Sequence, residues 1–227
     1  MAMSDIVRGA LAGAAFAACA VLASPASAGT PAPAEVASGA FDFYVFTLSW
    51  SPGFCGTGGD SKSPEQCGVG SGLGFVVHGL WPDNRYAVDP AECGNAFVPP
   101  AALRMTQGVY PNSGLARYEF EKHGTCTGYS PEAYFGAVKY LREQIVTPAV
   151  LTAPHAALRM SPDDIEQAFI QNNANLHADN IAVTCSRGEL IDVRLCVSKD
   201  MKAFAVCPPK VLGHSCRSPQ LTVSPLR

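Results

Sequence analysis

Two short segments of this chain carry histidine beside other residues suited to chemistry. One contains His78 and reads FVVHGLWPDN over residues 75–84, and the other reads YEFEKHGTC over residues 118–126. In the second segment Glu119, Lys122 and His123 are spaced so that on a helix they share one face. If the two segments meet in the fold, they assemble an acid, an ammonium group and two imidazoles.

Each segment taken alone also has an ordinary structural interpretation. A histidine at the end of a buried strand, as His78 is predicted to be, is more often a hydrogen-bonded core residue. Trp81 alone is also more typical of a core, and a Glu/Lys pair on a helix is more typical of a solvated face. Only the two segments together favour a catalytic interpretation.

Two imidazoles and a cation are sufficient to cleave RNA through its own 2′-hydroxyl. One neutral histidine takes the proton of that hydroxyl, and one protonated histidine donates a proton to the departing 5′-oxygen. A lysine stabilises the charge that gathers on the phosphorus, and a glutamate can orient a histidine. The residues therefore predict a reaction that uses neither metal nor cofactor and leaves DNA intact.

Both segments resemble the two active-site segments of the ribonuclease T2 family, which read approximately HGLWP and HEWxKHGTC. The resemblance covers about residues 41–217. It implies an endoribonuclease that acts on single-stranded RNA and forms 2′,3′-cyclic phosphate ends. It further implies that His123 is the general base, that His78 is the general acid, and that Glu119 and Lys122 stabilise the transition state.

The resemblance also implies three substrate-binding positions. Trp81 corresponds to an aromatic residue that stacks on a base, and Asp83 to a residue that hydrogen-bonds the base in some members. Tyr118 is a departure, because many members have a histidine there that contributes to phosphate binding. Tyrosine donates one hydrogen bond but carries no positive charge. The alternative function is therefore an RNA-binding module of the same fold with weakened catalysis.

The composition restricts how the chain binds its substrate. The 227 residues include 16 Lys and Arg against 19 Asp and Glu, a formal net charge of -3. This balance excludes binding of nucleic acid through bulk positive charge, so a phosphate must be held by a local site. The length fits one domain with a sizeable core, and we expect a monomer.

The N-terminal segment has the features of a secretory signal peptide. Arg8 precedes an apolar run, and residues 1–28 end in the small-residue pattern Ala26-Ser27-Ala28. The run is too short for a transmembrane helix, and the residues before Cys19 resemble a lipoprotein box only poorly. We therefore expect export to a periplasm or the cell exterior without a membrane anchor, followed by a flexible leader over residues 29–40 and a catalytic domain over residues 41–227.

Eight cysteines follow residue 28, and an even number in an exported chain predicts four disulfides. None has the Cys-x-x-Cys spacing that is typical of zinc sites, and the residues alone leave on the order of a hundred pairings open. The family pattern implies the pairs Cys55 with Cys67, Cys93 with Cys126, Cys185 with Cys216, and Cys196 with Cys207.

The strand patterns lie at the two ends of the chain. Residues 41–50 are almost all aromatic or β-branched and predict a central strand buried on both faces. Residues 75–77 predict a short strand that delivers His78. Residues 181–197 predict an antiparallel hairpin that turns at 186–188, and residues 203–206 predict a further strand.

The helix patterns lie between these strands. Ser130-Pro131-Glu132 and Ser161-Pro162-Asp163 each place a hydroxyl cap, a proline and an acid at a helix start. Gly124 is predicted to end the His123 helix in a left-handed conformation. Because no regular βαβ alternation is present, we predict an α+β fold with a central antiparallel sheet flanked by helices.

Overall fold

The computed structural model describes residues 39–95 and 97–227. The predicted signal peptide and residues 29–38 of the predicted leader lie outside the described residues. Among the described helices, none combines the length and the apolar character that a membrane crossing requires.

Six strands of the described chain form one sheet. They are β1 (Phe43–Trp50), β2 (Phe75–Asp83), β3 (Leu158–Met160), β4 (Ile181–Ser186), β5 (Glu189–Ser198) and β6 (Leu221–Val223). Their order in the sheet is β2-β1-β5-β6-β3, with β4 also paired to β5. The pairing is antiparallel except between β5 and β6, which pair in parallel through Glu189 and Thr222.

The helices lie mainly between β2 and β4, as predicted. The α-helices are α1 (Ser51–Phe54), α2 (Pro64–Cys67), α3 (Pro100–Arg104), α4 (Ser113–Lys122), α5 (Pro131–Gln144), α6 (Pro162–Asn172) and α7 (Pro209–Leu212). Single turns of 3₁₀ helix lie at Gly124–Cys126, Ala149–Leu151 and Ala178–Asn180, and a wide helical turn at Cys55–Gly59 continues α1.

Strand β1 is buried along its whole length, as its sequence predicts. Side chains alternate between the two faces of a strand. Tyr44, Phe46, Leu48 and Trp50 accordingly join the main core, which the helices cover. The opposite face packs a smaller apolar cluster at one end and carries polar side chains at the other, and Ser49 is one of these.

Both predicted helix starts are confirmed. The Ser130 side chain accepts a hydrogen bond from the Ala133 N–H at the start of α5. At the start of α6 the Ser161 hydroxyl accepts from the Asp164 N–H, while the Asp164 carboxylate accepts from the Ser161 N–H. This reciprocal capping box satisfies two backbone donors that the helix itself leaves unpaired.

Two strand predictions need correction. The second strand does not stop at residue 77 but runs as β2 to Asp83, because β1 pairs with it on both sides of a bulge at His78. Residues 203–206 do not form a strand. They make only an isolated bridge between Val197 and Phe204, where the backbone meets β5 briefly before it reaches the Cys207 disulfide.

The hairpin of β4 and β5 is confirmed, including its turn. Arg187 and Gly188 both have positive φ, 51° and 80°, as a tight hairpin turn requires.

All four implied disulfides are present. The Cys93–Cys126 bond ties the loop after β2 to the turn after α4, so it joins the two segments with catalytic potential.

Candidate active site

His78 projects from a β-bulge. Thr47 pairs with Gly79 and the next residue of β1, Leu48, pairs with Val77, so His78 is an extra residue with no partner on β1. A bulge of this kind turns a side chain away from the regular alternation of the strand. The His78 side chain is 37 % exposed, and its Nδ1 lies 3.2 Å from the Ser49 Oγ.

Helix α4 places Glu119 and His123 on the side that faces β2. The helix begins after Asn112, whose side chain accepts a hydrogen bond from the Leu115 N–H. It ends at Lys122, and His123 is the residue that follows. Glu119 is almost fully buried, while Phe120 points into the core as predicted.

Gly124 does not adopt the predicted left-handed conformation, because its φ is not positive and it begins a 3₁₀ turn. Its role is steric. A Cβ atom at this position would lie 2.3 Å from the Phe120 ring, so glycine allows the backbone to close over that ring. Glycine at this position therefore lets the turn after His123 pack against the core residue Phe120.

The Glu119 carboxylate connects the two segments. The Trp81 indole N–H donates to Glu119 Oε2 at 2.7 Å, and Glu119 Oε1 lies 3.6 Å from His78 Nε2. Gly79 leaves space for this contact, since a Cβ there would lie 2.3 Å from Glu119 Oε2. Burial raises the pKa of Glu119, although nearby His78 opposes this change.

The two histidines have opposite electrostatic environments. Burial and the Lys122 charge lower the pKa of His123 to about 4. Burial also acts to lower the pKa of His78, but Asp192 and Glu119 outweigh it and leave that pKa above its ordinary value. The Trp81 ring contacts both imidazoles, with centroid distances of 5.2 Å to His78 and 5.5 Å to His123. At mildly acidic pH the site therefore contains a neutral imidazole and a protonated one.

Lys122 and Tyr118 form the exposed edge of the site. The Lys122 ammonium donates to the Tyr118 hydroxyl at 3.1 Å, which raises the pKa of Lys122. The two side chains line a cleft of 460 Å³ together with Glu92 and Phe97. Tyr118 is half exposed, so its hydroxyl can accept from Lys122 and still donate outward.

Asp83 lies near Trp81 but is not a free carboxylate. The Lys210 ammonium contacts Asp83 and also Asp89. Burial, followed by the proximity of Asp89, raises the pKa of Asp83 to about 7. A cavity of 210 Å³ is lined by these groups, Trp81 and Arg194, whose guanidinium lies 5.5 Å from a Trp81 ring centroid. Trp81 and Asp83, the two residues implied to bind a base, therefore line the same cavity.

The sequence patterns did not single out four polar residues of this region. Asp192 and Arg194 had the spacing of a solvent-facing strand edge, yet Asp192 is buried beside His78. Lys210 comes from α7, and Ser49 comes from a strand that otherwise looked like pure core. For Ser49, Asp192 and Arg194 the sequence signal was a polar residue within a predicted strand, and for Lys210 there was no sequence signal.

Among residues 39–95 and 97–227, one group has three potential metal-ligand side chains close together, namely Cys55, Asp60 and Cys67. The two cysteine sulfurs are bonded to each other, so they do not supply the thiolates that bind metal. This group is part of the disulfide loop and not of the site described above.

Comparison with known proteins places these residues in a family context. The model of the ribonuclease T2 family matches residues 41–207. A ribonuclease of Aeromonas hydrophila is 36 % identical over 125 residues, which cover 55 % of this chain and 56 % of the relative. A probable ribonuclease of Haemophilus influenzae is 33 % identical over 162 residues, covering 66 % and 56 % respectively. The chain thus matches little more than half the length of these two relatives.

The fold itself also has solved counterparts. The crystal structure of RNase NT in complex with 5′-AMP superposes with a TM-score of 0.63 at 22 % identity, covering 82 % of this chain and 99 % of that chain. At this identity the likeness establishes the α+β fold.

Proposed function

The chain belongs to the ribonuclease T2 family, and from that premise we propose that it is an endoribonuclease that cleaves single-stranded RNA without a metal ion. The observation that carries the proposal is the pair of histidines that both contact Trp81, one with a lowered pKa and one with a raised pKa. A general base must be neutral and a general acid protonated at the working pH. This pair meets both requirements together.

The proposed reaction is a transphosphorylation. His123 takes the proton of the 2′-hydroxyl, and the 2′-oxygen forms a bond to the adjacent phosphorus. The bond from phosphorus to the 5′-oxygen breaks, and His78 donates a proton to that oxygen. Lys122 and Glu119 stabilise the charged phosphorane. The products are a 2′,3′-cyclic phosphate and a 5′-hydroxyl, and slow hydrolysis of the cyclic ester uses the same histidines in reverse.

Substrate binding is proposed to use the surfaces on both sides of the histidines. A base stacks on Trp81 and meets Asp83 and Lys210 in the adjoining cavity, in the way that single-stranded bases are bound by stacking and edge hydrogen bonds. A phosphate is held by Lys122 and Tyr118. Because DNA lacks the 2′-hydroxyl, it is not a substrate.

The test is incubation of the oxidised protein with RNA in EDTA, followed by analysis of the product ends. We expect undiminished cleavage and 2′,3′-cyclic phosphate ends, because the nucleophile and both proton carriers need no metal. A His123→Ala protein purified in parallel controls for contaminating ribonucleases. Activity that disappears in EDTA and returns with a divalent ion would refute the mechanism.

The second candidate function, an RNA-binding module with weakened catalysis, is favoured by one observation, the tyrosine at position 118. Tyr118→Phe removes the hydroxyl that accepts from Lys122 and can donate outward at the exposed edge of the site. We expect the Michaelis constant to rise while turnover stays nearly unchanged, since the bond is made equally in the ground and transition states. Steady-state kinetics on a short RNA measure both constants.

Tyr118→His separates the two candidates. An imidazole there should tighten binding most at acidic pH, where it is protonated. If the wild-type protein binds RNA but does not cleave it, and Tyr118→His creates cleavage, the binding-module function is correct.

We also propose that the protein works outside the cytoplasm, in a periplasm or the cell exterior, as a monomer. Four disulfides support the proposed location, because such bonds persist in oxidising compartments.

A further inference from the structure

We propose that Asp192, acting through the Ser49 hydroxyl, is a positioning residue that holds His78 in the orientation needed to protonate the leaving oxygen. The inference rests on the proposed function, because it assigns Asp192 a part in the same reaction. Asp192 lies on the Nδ1 side of the His78 ring, whereas Glu119 lies on the Nε2 side.

The three side chains come from three neighbouring strands. His78 is on β2, Ser49 is on β1, and Asp192 is on β5, directly opposite Ser49 in the strand register. The Ser49 Oγ lies 2.5 Å from Asp192 Oδ1 and 3.2 Å from His78 Nδ1. Asp192 Oδ1 is 3.7 Å from the same His78 nitrogen. The serine therefore bridges the carboxylate and the imidazole.

The direction of these hydrogen bonds follows from the chemistry of the groups. An ionised carboxylate only accepts, so the Ser49 hydroxyl hydrogen is donated to Asp192. The Ser49 oxygen is then left to accept, and His78 Nδ1 donates to it. Nδ1 therefore keeps its proton in this hydrogen bond, and Nε2, which faces Glu119, is the nitrogen left for proton transfer.

Asp192 is itself held in one place. Only 5 % of the residue is exposed, and its second carboxylate oxygen accepts a hydrogen bond from the Thr184 hydroxyl at 3.3 Å. The Thr184 hydroxyl also accepts from the Asp192 N–H at 3.1 Å, and Arg194 Nη2 lies 3.6 Å from Asp192 Oδ2. A buried carboxylate with partners on both oxygens can fix the direction of a neighbouring ring.

The charges around His78 allow the contribution of Asp192 to be measured. Asp192 and Arg194 face it from β5, Glu119 faces it from α4, and His123 faces it from the end of α4. Asp192 raises the pKa of His78, and His78 in turn helps to lower the pKa of Asp192 against the effect of burial. Glu119 remains when Asp192 is neutralised, so the effect of Asp192 can be separated from that of the site as a whole.

The decisive variant is Asp192→Asn, which keeps the shape of the side chain and removes its charge. In the wild-type protein kcat/KM should rise with pH through the His123 pKa, about 4, and fall where His78 loses its proton. In Asp192→Asn the falling limb of this pH profile should move to lower pH by about one unit or more, the usual effect of losing a close opposite charge. At pH values above the His78 pKa, kcat/KM should therefore be about tenfold lower than in the wild type.

Two measurements and a matched control complete the experiment. NMR titration of the histidine ring protons should show the His78 pKa lowered in Asp192→Asn while His123 changes little. Val193→Ala removes buried apolar atoms at the next position of β5, whose side chain points to the opposite face of the strand from Asp192 and packs in the main core. It should lower the melting temperature but leave the falling limb in place, which separates positioning from local destabilisation.

An unchanged His78 pKa and an unchanged falling limb in folded Asp192→Asn would overturn the proposal. If that variant does not fold, Ser49→Ala provides the test, because it removes the bridging oxygen and should shift the falling limb in the same direction by a smaller amount. An unmoved limb in folded Ser49→Ala would likewise overturn the proposal. The NMR titration needs no substrate, so a failure of the proposed ribonuclease function and a failure of this inference give different results.

Discussion

Replacing either His78 or His123 with alanine is expected to lower turnover by more than about a hundredfold, the usual loss for a general acid or base. The reason is that each imidazole carries one of the two protons that move in the proposed reaction. Initial rates on a short RNA with one cleavable step, measured near the pH optimum, provide the comparison. The Michaelis constant should change much less than turnover, because neither proton has moved in the bound ground state.

The control for this comparison is His155→Ala, which removes an exposed histidine in the loop before β3. It should retain full turnover. Melting temperatures of the three variants then show whether a loss of activity reflects unfolding. Near-normal turnover in a folded His78 or His123 variant would show that the proton carriers are assigned wrongly.

Replacing one ribose of an RNA substrate with 2′-deoxyribose is expected to abolish cleavage on the 3′ side of that nucleotide. The 2′-oxygen is the proposed nucleophile, and without it no bond to phosphorus can form. Cleavage at the unmodified neighbouring positions should continue, so each substrate molecule contains its own control. Mass spectrometry of the fragments identifies which bonds are cut.

A second control places the deoxyribose one nucleotide further along the strand. The original bond should then be cleaved again, because its own 2′-hydroxyl is restored. Cleavage directly after a deoxynucleotide, or of DNA at a comparable rate, would mean that water attacks the phosphorus from outside. The roles proposed for His123 and His78 would then have to be abandoned.

Much of the fold could be predicted because the relevant signals are local. The apolar run of β1, the serine caps of α5 and α6 and the glycine turn after β4 each depend on neighbouring residues, and each is found as expected. The predicted strand over residues 203–206 was wrong, because a strand requires continuous pairing and this segment pairs at a single bridge. Local composition does not reveal over how many residues a neighbouring strand will pair with the segment.

The candidate site was predictable to a similar extent. His78, Glu119 and His123 were recognised by residue type and spacing, and the structure brings them together around Trp81. Asp83 illustrates what spacing misses. It lies near Trp81 as expected, but Lys210 from a distant helix already contacts its carboxylate. No pattern within residues 75–84 could indicate that partner.

The amino-acid sequence alone determined the two histidine segments, their family and the number of cysteines available for disulfides. Only the tertiary structure decided that Asp192 lies behind His78, because β1 runs between β2 and β5 and brings Ser49 opposite Asp192. It also decided that one histidine is more acidic and the other less acidic than usual. Such differences arise from burial and from charges a few ångströms away, and those distances exist only once the strands have paired.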